Sequence, residues 1–291
     1  MTKIGIAGAS GYTGLELIRL LSGHPDVELA LLTSETFQGK NIAEVFPSLN
    51  RVVDLTLRPL DDSITKDCSV LFLALPHLAV MDKLPIYLQS DCKIIDLSAD
   101  YRLKDPKAYS DWYSVTHTHP DLLKQAVYGL PELYREAIQT AQFIANPGCY
   151  PTSVILALAP LLKTSWVDLD SIISDSKSGV SGAGRKPSLT THYTEINEGI
   201  SPYGLGSHRH TPEMEQELSV LADKPVRVTF SPHLIPMTRG MLSTVYINLN
   251  ESISDEKLVE HYRNFYKDEH FVRVLNPGKF ASSNHVLSSN F

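Results

Sequence analysis

The chain opens with a short apolar run, Lys3-Ile4-Gly5-Ile6-Ala7, which passes at once into Gly8-Ala9-Ser10-Gly11-Tyr12-Thr13-Gly14. An amphipathic segment with Leu15, Leu17, Ile18, Leu20 and Leu21 follows. Strand, glycine-rich turn and helix, in that order, are the context a dinucleotide-binding unit requires. The glycines permit a tight turn and let backbone N–H groups approach a pyrophosphate at the helix start. The spacing is GxxGxxG, not GxGxxG, and a plain strand-to-helix turn also fits it.

More strands are expected at α/β spacing, at Val27–Thr33, Ser69–Leu75, Lys93–Leu97 and Gln142–Ala145. Each is a near-continuous apolar run, as parallel strands covered on both faces require. Helices are expected between several of them, notably over 77–89 and 131–140. The second strand ends in Thr33-Ser34-Glu35. Small hydroxyl residues at that tip suit the 2′-phosphate of NADP, whereas an acidic residue suits the ribose of NAD. The expectation is NADP (NADPH), with Gly8, Ser10, Gly11, Tyr12, Thr13, Gly14, Thr33 and Ser34 as cofactor-binding residues and Glu35 pulling the other way.

A length of 291 residues suits two domains. The expected division is a Rossmann-type parallel-sheet nucleotide domain at 1–147 and an α+β catalytic, substrate and oligomerisation domain with a mixed sheet at 148–291. A formal net charge of −7 gives no basic footprint for nucleic acid or an anionic membrane. No apolar run approaches the roughly 18 residues that span a bilayer. The immediate strand leaves no room for a signal peptide. Three cysteines (Cys68, Cys92, Cys149) without CxxC spacing suggest reduced thiols in a cytoplasmic protein and no metal site. Cys68 and Cys92 precede apolar strand-like runs and read as structural.

Cys149 stands in Asn146-Pro147-Gly148-Cys149-Tyr150-Pro151-Thr152, ahead of an apolar run beginning at Val154. Proline is favoured in a first helical turn. Cys149 is therefore expected at a helix mouth, where unpaired N–H groups and the macrodipole favour negative charge and lower a thiol's pKa. Read locally, it is either such a nucleophile or a small buried filler.

The second half is less regular. A strand is expected at 171–175, then a loop, Ser176 to Arg185, with three Gly and three Ser. This loop either presents backbone N–H groups to an anion, with Arg185 adding charge, or is a plain surface loop. Gly206-Ser207-His208-Arg209-His210-Thr211-Pro212-Glu213 leads into a polar helix over Met214–Leu221. No third ligand stands at metal spacing, so a histidine acting as acid and base beside Cys149 is the better functional reading. The i, i+2 spacing suggests that the rings of His208 and His210 do not share a pocket. Strands are expected at 226–231 and 241–249, joined through 232–240.

The chain resembles the N-acetyl-γ-glutamyl-phosphate reductases, members of the semialdehyde dehydrogenase superfamily. The resemblance rests on GASGYTG at 8–14, LPH at 75–77, DLSADYRL at 96–103, YGLPEL at 128–133, ANPGCYPT at 145–152, KSGVSGAGR at 177–185, HRHTPE at 208–213 and PHLIPMTRG at 232–240. These segments run in one order over essentially the whole chain. The resemblance implies NADPH-dependent reduction of N-acetyl-glutamyl 5-phosphate to the 5-semialdehyde and phosphate in arginine biosynthesis. It implies a thioester on Cys149 and His208 as proton relay, with His210 in reserve. Arg102, Asn146, Ser181, Arg185 and His210 are the substrate-binding candidates, and Ser178 and Gly179 join the cofactor set. A homodimer or tetramer is expected.

Two departures go with the resemblance. The family usually has a basic residue near Glu35, and its Gly/Ala-rich return helix is not found after 281–291, which resembles the family's SN-containing strand region. The alternatives are a related dehydrogenase acting on another amino-acid acyl phosphate, free or carrier-bound, and a truncated, non-catalytic nucleotide-binding protein.

Overall fold

A computed structural model describes residues 1–291 as two compact units, Met1–Pro147 and Gly148–Phe291. The first runs β1 (Thr2–Ala7), α1 (Tyr12–Leu21), β2 (Val27–Leu32), α2 (Ile42–Val45), β3 (Val70–Leu73), α3 (Leu84–Tyr87), β4 (Lys93–Asp96), α4 (Pro106–Tyr113), α5 (Pro120–Leu123), β5 (Val127–Tyr128), α6 (Pro131–Thr140) and β6 (Phe143–Ala145). All six strands are parallel, in the order β2-β1-β3-β4-β6-β5. This is the Rossmann-like sheet expected. Because side chains alternate across a strand, Ile4 and Ile6 join Ile18, Leu32 and Ile42 on one face. Ala7 joins Leu31, Leu71, Leu73, Ile94 and Phe143 on the other. Burial on both faces explains the unbroken apolar runs.

The helix expected over 77–89 is not formed as one element; only Leu84–Tyr87 is helical. Two observations explain the difference. Pro85 lacks the N–H that an upstream turn would need. Upstream, Leu78 takes a left-handed φ of +72° and donates its N–H to the Asp100 carboxylate at 2.9 Å. In contrast α4, absent from the expectation, has a clear local cause: the Asp105 side chain caps the Lys107 N–H, and Pro106 starts the helix.

The second unit contains α7 (Cys149–Leu158), β7 (Val167–Ser178), α8 (Tyr193–Ile196), β8 (Ser201–Pro202), α9 (His210–Ala222), β9 (Thr229–Leu234), β10 (Met241–Leu249) and α10 (Asp255–Phe265). Its sheet is mixed, in the order β10-β7-β9-β8, with only β7 and β9 parallel. β7 is longer than expected, so Ser176 to Ser178 belong to the strand and not to the loop after it. β9 likewise takes in Pro232 and His233. α9 starts at His210, four residues before the expected Met214. Residues 281–291 form no strand; Ser283–Val286 is a turn of 3-10 helix.

A partly buried chain of hydroxyls joins α7 to the sheet. Ser153 meets Ser243 at 2.7 Å, Ser243 meets Ser176 at 2.8 Å, and Ser176 meets Ser174 at 3.1 Å. The outer positions of β7 and β10 stay open, with Ile173, Leu242, Tyr246 and Leu249 all more than 40% exposed. No helix is long and apolar enough to cross a membrane.

Candidate active site

Gly8 leaves β1 with φ +82°, and a Cβ there would stand 2.2 Å from the Ala74 carbonyl oxygen. Only glycine fits. Gly14 is equally restricted, because its Cβ would lie 2.5 Å from the Gly8 oxygen. The turn is thereby pressed against the sheet and delivers Gly11 as N-cap of α1. The first intrahelical bond runs from Leu15 N–H to the Gly11 carbonyl. The amides of Tyr12, Thr13 and Gly14 thus have no acceptor inside the helix, which is the anion-holding arrangement of such turns.

Thr33 and Ser34 sit beside this turn but face into it. The Gly8 N–H donates to Thr33 Oγ1 at 3.3 Å, Ser10 Oγ meets Ser34 Oγ at 2.8 Å, and both β2-tip residues are buried. They brace the glycine turn. Exposed Glu35 accepts the Leu60 N–H at 3.0 Å.

The DLSADYRL segment is also turned inward. Asp96 and Asp100 are fully buried. Burial pushes the Asp96 carboxyl up to about 7, against the hydrogen bonds from Ser98 that pull the other way. Arg102 is 5% exposed, with Nε on the Asn146 carbonyl at 2.7 Å and Nη2 on the Leu97 carbonyl at 2.9 Å. It therefore ties the end of β4 to the end of β6, and Asn146 meets it through its backbone.

In the second unit, Gly148 is the N-cap of α7 and Cys149 its first helical residue. Cys149 is exposed, while Cys68 and Cys92 are buried with their sulfurs 3.8 Å apart. The filler reading therefore suits those two and not Cys149. Tyr150 points inward and is 2% exposed. Its ring collects His208 (5.6 Å between centroids), His210 (5.8 Å) and Phe230 (5.1 Å), and its hydroxyl meets that of Tyr203 at 2.9 Å. His208 and His210 lie 4.8 Å apart in this one cluster, contrary to the separation expected from their spacing. The loop folds back before α9 begins, with Gly204 at φ +58° and its Cα hydrogens facing the His208 ring.

The cluster fixes the state of His208. Burial among aromatic rings, with Arg209 adding to it, lowers its pKa to about 4, so the ring is neutral at pH 7. The His210 backbone N–H donates to His208 Nδ1 at 3.1 Å. A lone pair must therefore sit on Nδ1, and the ring proton is on Nε2. His208 offers a neutral N–H donor.

The 178–184 loop differs from its expected form. The amides of Gly179, Val180 and Ser181 donate to the carbonyls of Gly240, Met237 and Thr238 at 2.8–3.0 Å. They are therefore not presented to an anion. A Cβ on Gly179 would stand 2.8 Å from the Met237 oxygen, so glycine is required for that approach. Ser178 is buried, and Arg185 is exposed beyond the loop. Tyr150, Tyr203 and Phe230 were not legible as site residues. Adjacency to Cys149 is a signal for the first, whereas the other two meet His208 only through the fold.

Comparison with known proteins places these features. Residues 3–141 match the semialdehyde dehydrogenase NAD binding domain, and residues 149–291 match the semialdehyde dehydrogenase dimerisation domain. Among solved structures, aspartate semialdehyde dehydrogenase II from Vibrio cholerae superposes with a TM-score of 0.69 at 18% identity, over 97% of this chain and 83% of that one. The NADP complex of the Candida albicans aspartate semialdehyde dehydrogenase gives 0.68 at 15% identity, over 98% and 85%. These two share the fold. In sequence, the N-acetyl-gamma-glutamyl-phosphate reductase of Desulforamulus reducens is 52% identical over 100% of this chain and 84% of its own length. That of Geotalea daltonii is 53% identical with the same coverage. The chain belongs to the N-acetyl-gamma-glutamyl-phosphate reductase family, built from the two semialdehyde dehydrogenase domains.

Proposed function

We propose that this chain catalyses the NADPH-dependent reduction of N-acetyl-glutamyl 5-phosphate to N-acetyl-glutamate 5-semialdehyde and phosphate, with Cys149 as nucleophile, as a step of arginine biosynthesis. The observation that carries the reading is Cys149 itself: an exposed thiol on the first residue of α7, in the unit that holds a half-buried, neutral His208 beside Tyr150.

Hydride does not readily displace phosphate from a mixed anhydride, so a covalent stage divides the reaction. The Cys149 thiolate adds to the acyl carbon, the bond to the phosphate oxygen breaks, and a thioester remains on Sγ. His208, through Nε2–H, donates a hydrogen bond that steadies the thiolate and then the departing phosphate oxygen, which takes its proton from water. A nicotinamide, when bound, supplies the hydride that this thioester accepts. Collapse of the resulting thiohemiacetal frees the aldehyde and returns Cys149 as thiolate. The glycine turn fits a dinucleotide, because the opening amides of α1 have no acceptor inside the helix and can take an anion. Gly8, Ser10, Gly11, Tyr12, Thr13 and Gly14 would hold the pyrophosphate, with Thr33 and Ser34 bracing them. Ser178 and Gly179 are assigned to the cofactor as well, the Gly179 amide being already taken by the Gly240 carbonyl. Ser181, Arg185 and His210 face the substrate, and Arg102 shapes the backbone at Asn146.

The open face of the mixed sheet, with Ile173, Leu242, Tyr246 and Leu249, is the surface through which copies of the chain associate. The dimerisation-domain match supports this assignment. Three cysteines held as thiols, none in a disulfide, suit a reducing, cytoplasmic compartment.

The test is phosphate-dependent reduction of NADP+ by N-acetyl-glutamate semialdehyde, run beside NAD+ and aspartate semialdehyde. Cys149→Ser should lose turnover by several orders of magnitude while keeping NADP+ affinity. His208→Asn should lose about 10²–10⁴-fold, with His210→Asn milder because its backbone, not its ring, holds His208. Since His208 is neutral down to about pH 4, the parent should show no His208-dependent loss near pH 6.5. Parent-like turnover in Cys149→Ser would remove the nucleophile.

A further inference from the structure

The carboxylate of Glu213 is 1% exposed, and its Oε1 accepts the N–H of Gly148 at 2.8 Å, a contact across 65 positions of sequence. Gly148 has no side chain with which to cap its own helix. The first helical bond of α7 runs from Thr152 N–H to the Gly148 carbonyl, reinforced by Thr152 Oγ1 at 2.9 Å. Gly148 is therefore held on both sides, its carbonyl by α7 itself and its amide by a side chain from α9. Cys149 follows at once.

Glu213 lies one turn into α9, three residues after His210, whose N–H holds His208 Nδ1. The same helical turn thus grips both functional segments: His208 through the first amide of α9 and the residue before Cys149 through the first-turn carboxylate. Met214 and Leu218, both fully buried, anchor the helix that carries these two grips.

We propose that Glu213 is a positioning residue for the reductase reaction, clamping the Gly148 amide so that Cys149 is held in register with His208. The proposal rests on Cys149 being the nucleophile. The same carboxylate, bonded to the amide that precedes Cys149, is expected to oppose thiolate formation there. The other titratable or charged groups around the two turns are Tyr150, Tyr203, His208, Arg209, His210 and Glu217. Burial holds the hydroxyls of Tyr150 and Tyr203 above the ordinary range, so neither changes charge near neutral pH.

Two variants separate clamp from charge. Glu213→Ala removes the grip on Gly148, and kcat should fall about 10²-fold, as expected when a reacting group shifts by about 1 Å. Its affinity for NADP+ should remain, because the glycine turn belongs to the first unit. Glu213→Gln keeps an acceptor oxygen of the same reach and loses the charge. Its kcat should stay within about fivefold of the parent, while the midpoint of iodoacetamide alkylation at Cys149, followed by peptide mass against pH, moves down by about half a unit. A merely structural glutamate would lower the melting temperature without moving that midpoint.

Parent-like kcat in Glu213→Ala, or a kcat loss in Glu213→Gln as large as that in Glu213→Ala, overturns the proposal. Should Glu213→Ala fail to fold, Glu213→Asp, which falls short of the Gly148 amide, takes its place under the same kcat criterion. Turnover that survives Cys149→Ser would instead refute the nucleophile reading, so the two failures are told apart.

Discussion

Two loops of this chain look alike in sequence, each a strand followed by glycine and small residues: GASGYTG at 8–14 and SGVSGAG at 178–184. They are put to different use. In the first, the chain turns into a ten-residue helix, and the opening amides of that helix have no carbonyl to serve within it. In the second, the chain runs into a short 3-10 turn beside residues 237–240, whose carbonyls take the amides of Gly179, Val180 and Ser181. Glycine serves close backbone approach in both. What decides whether amides face a ligand is the element that follows and what lies alongside, and composition reports neither.

The sharpest way to break this contrast is to add one methyl group to each loop. Gly8→Ala sets a Cβ 2.2 Å from the Ala74 oxygen at φ +82°. It should destabilise the protein by about 3 kcal/mol and abolish measurable NADP+ binding. Gly184→Ala keeps a positive φ of +86° but meets nothing within 4 Å. Its cost should be about 1 kcal/mol, with NADP+ affinity unchanged. Denaturant unfolding and cofactor titration check both, and equal effects would mean that the loops are equivalent after all.

Arg102 extends the contrast to charged side chains. It is bonded to two backbone carbonyls in a buried setting, so Arg102→Ala leaves the Leu97 and Asn146 oxygens without that donor. A loss of about 2–4 kcal/mol in unfolding free energy is expected. A stable but inactive Arg102→Ala would shift its role from backbone to substrate.

Asp96 gives a smaller effect with a definite sign. Its carboxyl is raised to about 7 in the folded state by burial, from an ordinary value near 4. Below about pH 4 both folded and unfolded chains hold this proton. Between about 4 and 7 the unfolded chain releases it and the folded chain does not, so stability falls as pH rises and then levels. Asp96→Asn, which cannot ionise, should gain on the parent steadily across that interval. Thermal melts at pH 5 and 8 test this. A gap that widens toward acid would reverse the assignment.

How much of this was legible follows from whether the cause was local. The parallel sheet could be read because both-face burial writes unbroken apolar runs, and the Cys149 helix because Pro151 marks a first turn. The 77–89 segment misled because its apolar content resembles a helix, while its shape is set by distant Asp100, which draws in the Leu78 N–H. The shared pocket of His208 and His210 was hidden for a similar reason. Their spacing says little, because His208 precedes α9, and the Gly204–Gly206 turn folds its ring back beside that of His210. Glu213 lay inside a recognised motif, but only its contact with Gly148 gives it a task.

Arg185 provides the mildest test of the two-loop contrast. With the amides of 179–181 committed to carbonyls, any anion recognition by this loop must come from side chains, and Arg185 is the cation at its exposed end. A charge in that setting is screened by water and salt, so its contribution to binding an anionic substrate is modest. Arg185→Gln should therefore raise the KM for the acyl phosphate or semialdehyde about three- to tenfold, leave kcat within about twofold, and leave unfolding free energy within about 0.5 kcal/mol of the parent. The KM effect should shrink at 0.5 M salt, where the Debye length is a few ångströms. A salt-insensitive loss in kcat would mean that Arg185 is held in a dry site against reacting atoms. An unchanged KM would mean that the loop recognises no anion, and that its glycines serve only to pack it against residues 237–240.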